Sequence, residues 1–235
     1  EYENALRIDP GYAPALKNKA DLLEQSGQVE EAGRIYARTI SVRPDGGSLI
    51  RDALLLPVIP ESQGQIEDYR ARMDRKLNQL KDEKFKIEDP IHEVGGTNFL
   101  LAYHGLDDRD LQTKIARLYR EVAPSLTFET VHDHDLRSAM ESEILRIGFV
   151  SSFFFEHTVG RLMEALIMGL SEYRVEIIIY SGSTRNDSVT DRLKRMVAKF
   201  IQLPRRLSLA QEIIAGDKLD IIYFCDIGLE PLAYF

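Results

Sequence analysis

The chain predicts an α plus α/β fold class, an all-helical first part followed by a parallel sheet. Two observations carry this. Apolar residues before about residue 123 recur mainly at spacings of three and four, whereas from Glu143 onward short apolar runs alternate with helix-compatible stretches. Strands alternating with helices of roughly eight to sixteen residues define βαβ units, hence a parallel sheet with right-handed crossovers. The second part is built outward from EILRIGFVSSFFFEHTVG, Glu143 to Gly160. Its apolar run at 144–150 reads as a buried strand ending in Ser151-Ser152, and a helix follows at about 159–170.

Residues 1–47 carry a repeat. Tyr2 and Tyr36, Ile8 and Val42, and Pro10 and Pro44 each stand 34 positions apart, the period of tetratricopeptide repeats. Between the prolines run Leu16, Ala20, Leu23, a turn at Gly27, then Ala32 and Tyr36. Small residues suit two helices that cross closely, and the bulky ones bury against a neighbour. EYENALRIDP reads as the second helix of a preceding repeat, so further repeats are expected upstream.

Residues 48–123 read as a helical insert. A helix over Ser48 to Leu56 stops before Pro57, and Glu61 to Glu83 is amphipathic through Ile66, Tyr69, Met73, Leu77 and Leu80. Residues 84–97 are expected to be loop, Asn98 to Tyr103 is a short apolar run, and Asp107 to Val122 is a helix. Residues 124–142 read as a polar linker; in it, His132-Asp133-His134-Asp135 is read as solvated segment rather than metal site. Residues 143–235 form the Rossmann-like part. Its later elements are strands at Arg174 to Tyr180, Phe200 to Leu203 and Leu219 to Cys225, and helices at Asp187 to Ala198 and, with Ser208 as N-cap, Ser208 to Ala215.

Composition narrows the function. A net charge of −8 and no long basic run argue against nucleic acid as a partner. No apolar segment approaches the roughly 20 residues that span a bilayer, and the first residues are not a signal peptide. A single cysteine, Cys225, excludes an internal disulfide and suits a reducing, cytoplasmic setting; in an apolar strand it reads as an inert thiol.

No GxGxxG, GxxxxGK[ST], HExxH or GxSxG motif is present. The absence of the glycine fingerprint removes a nucleotide-dependent dehydrogenase. What remains are polar groups at strand ends, where open α/β sheets bind ligands: Ser151, Ser152, Glu156 and His157, then Ser181 and Ser183, then Asp226. His157 suits either a general base or ligand contact, or a residue that starts a helix. Asp226, followed by Gly228, suits a turn or a ligand contact.

LRIGFVSSFFFEHTVGRLM (Leu145 to Met163), behind a 34-residue repeat and a helical insert, resembles the O-linked N-acetylglucosamine transferase family of the SPINDLY type. The residues that carry the likeness are Val150-Ser151-Ser152, His157 and Leu162-Met163; NFLLAYHG and LDIIYFCDIGLEPLAYF are similar too. The resemblance implies the N-terminal half of a GT-B fold and transfer of a sugar from a UDP-sugar to serine or threonine hydroxyls of a protein that the repeats recruit. It implies His157 in the cleft, with Ser151, Ser152, Glu156 and Asp226 around it, no metal, and a UDP-sugar site in a second domain beyond Phe235. Without that domain the fragment is expected to be inactive. Phe153 stands where members often have aspartate, Phe155 where a small residue is common, and Ile214-Ala215-Gly216 lacks a second histidine. These departures support the alternative, an inactive repeat scaffold.

Overall fold

The computed structural model describes residues 1–130 and 144–235, which divide into two compact units, Glu1–Thr127 and Phe128–Phe235. The His132–Asp135 run lies outside the described residues.

The first unit is helical: α1 (Tyr2–Ile8), α2 (Ala13–Gln25), α3 (Val29–Val42), α4 (Gly46–Leu54), α5 (Gln63–Leu80), α6 (Pro90–Glu93) and α7 (Arg109–Val122). Ala20 and Ala32 are fully buried, and around them pack Leu16, Val29, Ile35, Tyr36 and Leu55. Gly27 takes a positive φ of 77° in the turn between α2 and α3, a conformation that glycine adopts without steric cost. Several boundaries differ from the sequence reading. The expected loop at 84–97 holds α6, because the Asp89 carboxylate accepts from the Ile91 and His92 amides and Pro90 suits a first helical position. Asn98 to Tyr103 leads into a 3-10 helix, Phe99–His104, and Pro124–Thr127 of the expected linker is another. The helix expected from Ser48 begins at Gly46, capped by Asp45.

One polar cluster lies inside this unit. The Tyr36 hydroxyl donates toward Asp21 Oδ1 (2.5 Å) and Glu24 Oε2 (2.9 Å) and accepts from Arg51 Nε at 3.0 Å. The Arg51 guanidinium also pairs with Asp21 (3.2 Å) and Glu24 (2.9 Å) while only 12% exposed. Burial raises the Glu24 carboxyl above its usual range, and Arg51 opposes that rise.

The second unit holds β1 (Leu145–Ser151), α8 (Thr158–Leu170), β2 (Val175–Ser181), α9 (Ser188–Met196), β3 (Lys199–Gln202), α10 (Leu207–Gly216), β4 (Ile221–Phe224) and α11 (Pro231–Tyr234). The four strands form one parallel sheet in the order β3-β2-β1-β4. Alternate residues feed two cores. Ile147, Phe149, Ile177 and Ile179 pack with Met163 and Ile167 of α8 and Val189 and Leu193 of α9. Val150, Ile178 and Tyr180 face the other way, with Ala210 of α10 and Leu232 of α11. The Tyr180 hydroxyl donates to Asp217 (2.7 Å), which also pairs with Lys199 and so ties the end of α10 to β2 and β3.

Here too the ends shift. Helix α9 stops at Met196, because Val197 is extended and leads into β3. Helix α10 begins at the buried Leu207 with Arg206 as N-cap, so Ser208 is inside the helix and not its cap. β4 is only Ile221–Phe224, and Cys225 lies just past it, half-buried. Burial, and then Asp226, pushes the Cys225 thiol up to about 12, which keeps it protonated. The side chains of Ile221, Ile222, Tyr223 and Phe224 are 40–45% exposed, an apolar edge. No helix among the described residues is long and apolar enough to cross a membrane.

The Arg51 cluster yields a prediction. Arg51→Met should lower the unfolding free energy by about 3 kcal/mol in urea titrations, since two partly buried carboxylates lose their cation. A change below about 0.5 kcal/mol would mean that water solvates the cluster.

Candidate functional site

In a sheet ordered β3-β2-β1-β4, the β1–β2 crossover runs to one side of β1 and the β3–β4 connection places β4 on its other side, so the crevice opens outside the carboxyl ends of β1 and β4. The register sets Ser151 beside Ser181 and Val150 beside Phe224, and the Cys225 amide donates to the Val150 carbonyl at 3.0 Å. Residues 151–157 and 226 therefore leave the sheet at the same end.

The turn from β1 to α8 is closely held. Ser151 is fully buried, and its hydroxyl oxygen accepts from the Phe153 amide at 2.9 Å. Ser152 lies against Gly182: a Cβ at residue 182 would come within 2.2 Å of the Ser152 hydroxyl and 2.8 Å of Leu232 Cδ2, so a side chain there would make both move. Gly160, in the first turn of α8, has the same role. A Cβ on it would meet the Phe155 carbonyl oxygen at 2.1 Å and the Phe153 carbonyl oxygen at 2.6 Å. The turn lies on the helix start because nothing projects from residue 160.

The Asp187 carboxylate clamps this turn to the start of α9. One oxygen accepts from the Glu156 amide (2.7 Å), the other from the Val189 (3.0 Å) and Thr190 (3.2 Å) amides. The Thr190 hydroxyl donates to the Phe154 carbonyl at 2.9 Å. The Glu156 amide bond is the leading reason that the Asp187 carboxyl is held below its ordinary range.

His157 is the N-cap of α8. Its Nδ1 accepts from the Val159 amide at 3.2 Å, and its ring stacks on Phe153 with centroids 4.5 Å apart and planes at 24°. The Phe155 ring lies 5.9 Å from the His157 ring, and the Arg185 guanidinium sits over the Phe155 ring, 4.5 Å from its centroid. The Glu156 side chain is exposed and pairs with Arg161.

Asp226 differs from these. It is 5% exposed, and neither carboxylate oxygen has a hydrogen-bond partner among the described residues. Burial raises it to about 6; Ser151 opposes that rise and Glu230 adds to it.

The structure thus brings Ser151, Ser152, His157 and Asp226 to one end of the sheet, with the Glu156 backbone in the turn and its side chain turned to solvent. Asp187, Gly160 and Gly182 were not singled out in sequence. Asp187 carried a signal, an N-cap residue before a periodic helix, but its bond to Glu156 spans 31 positions. An apolar cavity of about 380 Å³ lies elsewhere, on a sheet face beside α10, lined by Val150, Leu203, Ile214 and Phe224; it contains none of the polar site residues. No group of three or more metal-ligating side chains occurs among the described residues.

In fold, the chain is similar to a solved structure of a mutant O-GlcNAc transferase from Thermobaculum terrenum. The two share 24% identity with a TM-score of 0.55, over 94% of this chain and 40% of that one. The likeness establishes a fold of that kind, helices followed by a parallel sheet as in the N-terminal half of a GT-B glycosyltransferase. No family model matches the chain, and the comparison with curated proteins found no match.

Two measurements check this geometry. Gly160→Ala should destabilise the chain by roughly 2 kcal/mol through overpacking, while Gly169→Ala in the same helix, with open space around it, should stabilise it by up to about 1 kcal/mol. For Asp226 the sign follows from a folded pKa raised from 3.8 to about 6. The neutral form is favoured on folding, so the penalty is absent below about pH 4, grows through pH 6 and is then constant. Asp226→Asn should therefore raise stability at pH 7.5 by about 2 kcal/mol, with the gain fading toward pH 4 in melts across that range.

Proposed function

We propose that this chain is the acceptor-side part of a UDP-sugar-dependent protein O-glycosyltransferase that moves a sugar, N-acetylglucosamine by resemblance, to serine or threonine hydroxyls. The observation that carries the reading is the strand-end turn Ser151–His157, set at the switch point of a sheet whose fold matches that of an O-GlcNAc transferase. In this reading the helices of the first unit belong to a repeat array that recruits the protein acceptor. A further domain holds the UDP-sugar, no metal takes part, and the protein works in the cytoplasm.

The cap supports one role for His157 over the other. Nδ1 accepts the Val159 N–H, so the neutral ring carries its proton on Nε2. An Nε2–H donates to an oxygen; it takes no proton from one. To act as a base through Nε2, the ring would need its proton on Nδ1, and the cap bond would be lost. His157 is therefore a positioning donor, to the acceptor hydroxyl or a donor phosphate oxygen. Ser151, Ser152 and the Glu156 amide shape the turn around it, and Asp226 leaves the sheet at the same end.

A second reading, an inactive repeat scaffold, is favoured by the two phenylalanines packed about His157. Turnover separates the two. The protein from its natural source, with UDP-sugars and acceptor protein, should transfer sugar. His157→Asn, which keeps a capping oxygen, should melt like the wild type yet lose roughly tenfold or more in kcat/KM. His157→Ala should lose the same activity and about 1 kcal/mol of stability besides. Wild-type turnover in the asparagine variant would remove His157 from the mechanism, and no transfer by the natural protein would favour the scaffold.

A further inference from the structure

A guanidinium seated over an aromatic ring is positioned without using any of its five N–H donors, so it stays ready for an oxyanion. On the reading of the β1–α8 turn as the acceptor side of a transferase, we propose that Arg185 is a specificity-determining residue. It selects acceptor segments that carry a carboxylate two or three residues from the reacting serine or threonine.

The β2–α9 turn brings Arg185 to that place. β2 runs parallel to β1 with Ser181 level with Ser151, so both strands release their turns at one end of the sheet. The buried Ser181 hydroxyl accepts from the Ser183 amide at 3.3 Å and donates to the Ser183 carbonyl at 3.1 Å. The Ser183 hydroxyl oxygen in turn accepts from the Arg185 amide at 3.2 Å. One residue further on, the Asn186 side chain is held between Asp191 (3.2 Å) and Lys194 (2.5 Å) of α9. The backbone at residue 185 is thus anchored on both sides. From it the guanidinium extends over the ring of the buried Phe155, 4.5 Å from the centroid.

Arg185 is exposed and forms no ion pair among the described residues. The carboxylates of the two turns and of the helices they open are engaged elsewhere. Glu156 pairs with Arg161 and Glu164 with Arg192, Asp191 accepts from Asn186, and both Asp187 oxygens accept backbone amides. A cation without an anion therefore stands near the imidazole that positions the acceptor hydroxyl. The Phe155 and His157 ring centroids are 5.9 Å apart, so Arg185 is separated from His157 by no more than that leg and the 4.5 Å one laid end to end. An extended chain advances roughly 3.3 Å per residue, so an acidic side chain two or three positions from the reacting hydroxyl reaches the guanidinium. The planar, always charged fork of arginine matches a carboxylate in two hydrogen bonds. On the same reading a further domain holds the UDP-sugar, which leaves the acceptor as the source of the anion at this end.

The test uses the protein from its natural source, UDP-sugar and two peptides with a single serine in an alanine–glycine frame. One carries aspartate two and three residues to either side of the serine, the other asparagine at the same places. The wild type should prefer the aspartate peptide in kcat/KM, through a lower KM at similar kcat. Arg185→Gln should shrink that preference about tenfold, and Arg185→Lys, which keeps the charge but not the fork, should shrink it less. A wild type without preference, or a preference unchanged in Arg185→Gln, overturns the proposal. So does a KM for UDP-sugar that rises equally with both peptides, which would assign the guanidinium to a donor phosphate. Fluorescence anisotropy of the labelled peptides without UDP-sugar separates this from failure of the transferase reading. Salt-sensitive binding of the aspartate peptide that Arg185→Gln abolishes, without sugar transfer, would remove the transferase and keep the acid-selective site. Equal binding of both peptides by the wild type and Arg185→Gln would remove that site whether or not transfer occurs.

Discussion

The site depends on how the backbone leaves β1. After Ser151 the chain must turn away from the sheet and enter α8 within six residues, and the Asp187 carboxylate makes that path a fixed one. It accepts the Glu156 amide on one side and caps α9 on the other, so the turn and the next helix of the sheet are joined by a charged acceptor. Hydrogen bonds to an ionised group are stronger than those between neutral groups. Gly160 removes the obstacle that any side chain would pose, and Thr190 adds a third tie through the Phe154 carbonyl. Everything proposed for His157 follows from that path, since the imidazole is presented by the last residue of a turn whose Phe153, Phe155 and Glu156 amides are bonded within the protein.

Much of this was legible in sequence. The alternation of apolar runs with helical stretches predicted a parallel sheet, and the strand that ends in Ser151-Ser152 lies second from the edge of it, beside β4. What escaped did so for physical reasons. The four residues of α6 are too short to show a period, and its cue was chemical: an aspartate before a proline. The run at 219–225 reads as seven strand residues, but β4 can extend only as far as β1 offers partners, Ile147 to Val150. Ser208 has the chemistry of a cap, yet the buried Leu207 draws the helix start one position earlier. His157 is not one of the usual capping residues, and its ring nitrogen serves as the capping acceptor all the same.

The two units solve the problem of buried charge in opposite ways. In the first, Asp21, Glu24, Tyr36 and Arg51 satisfy one another, and nothing in that cluster requires a ligand. In the second, Asp226 is left without a hydrogen bond among the described residues. A self-contained network fixes packing, whereas an unsatisfied group at a strand end retains a proton equilibrium near neutrality. The open β4 edge adds to this contrast. Strands of a parallel sheet are ordinarily covered on both faces, whereas the β4 residues Ile221 to Phe224 are each 40–45% exposed.

Amide hydrogen exchange on the protein from its natural source, with UDP-sugar and a serine-containing acceptor peptide present together, tests the central claim most directly. The account predicts added protection at residues 151–160 and 226–230, the two segments that leave the sheet at the switch point. Protection confined to the apolar cavity beside α10, or sugar transfer with residues 151–160 unaffected, would contradict it.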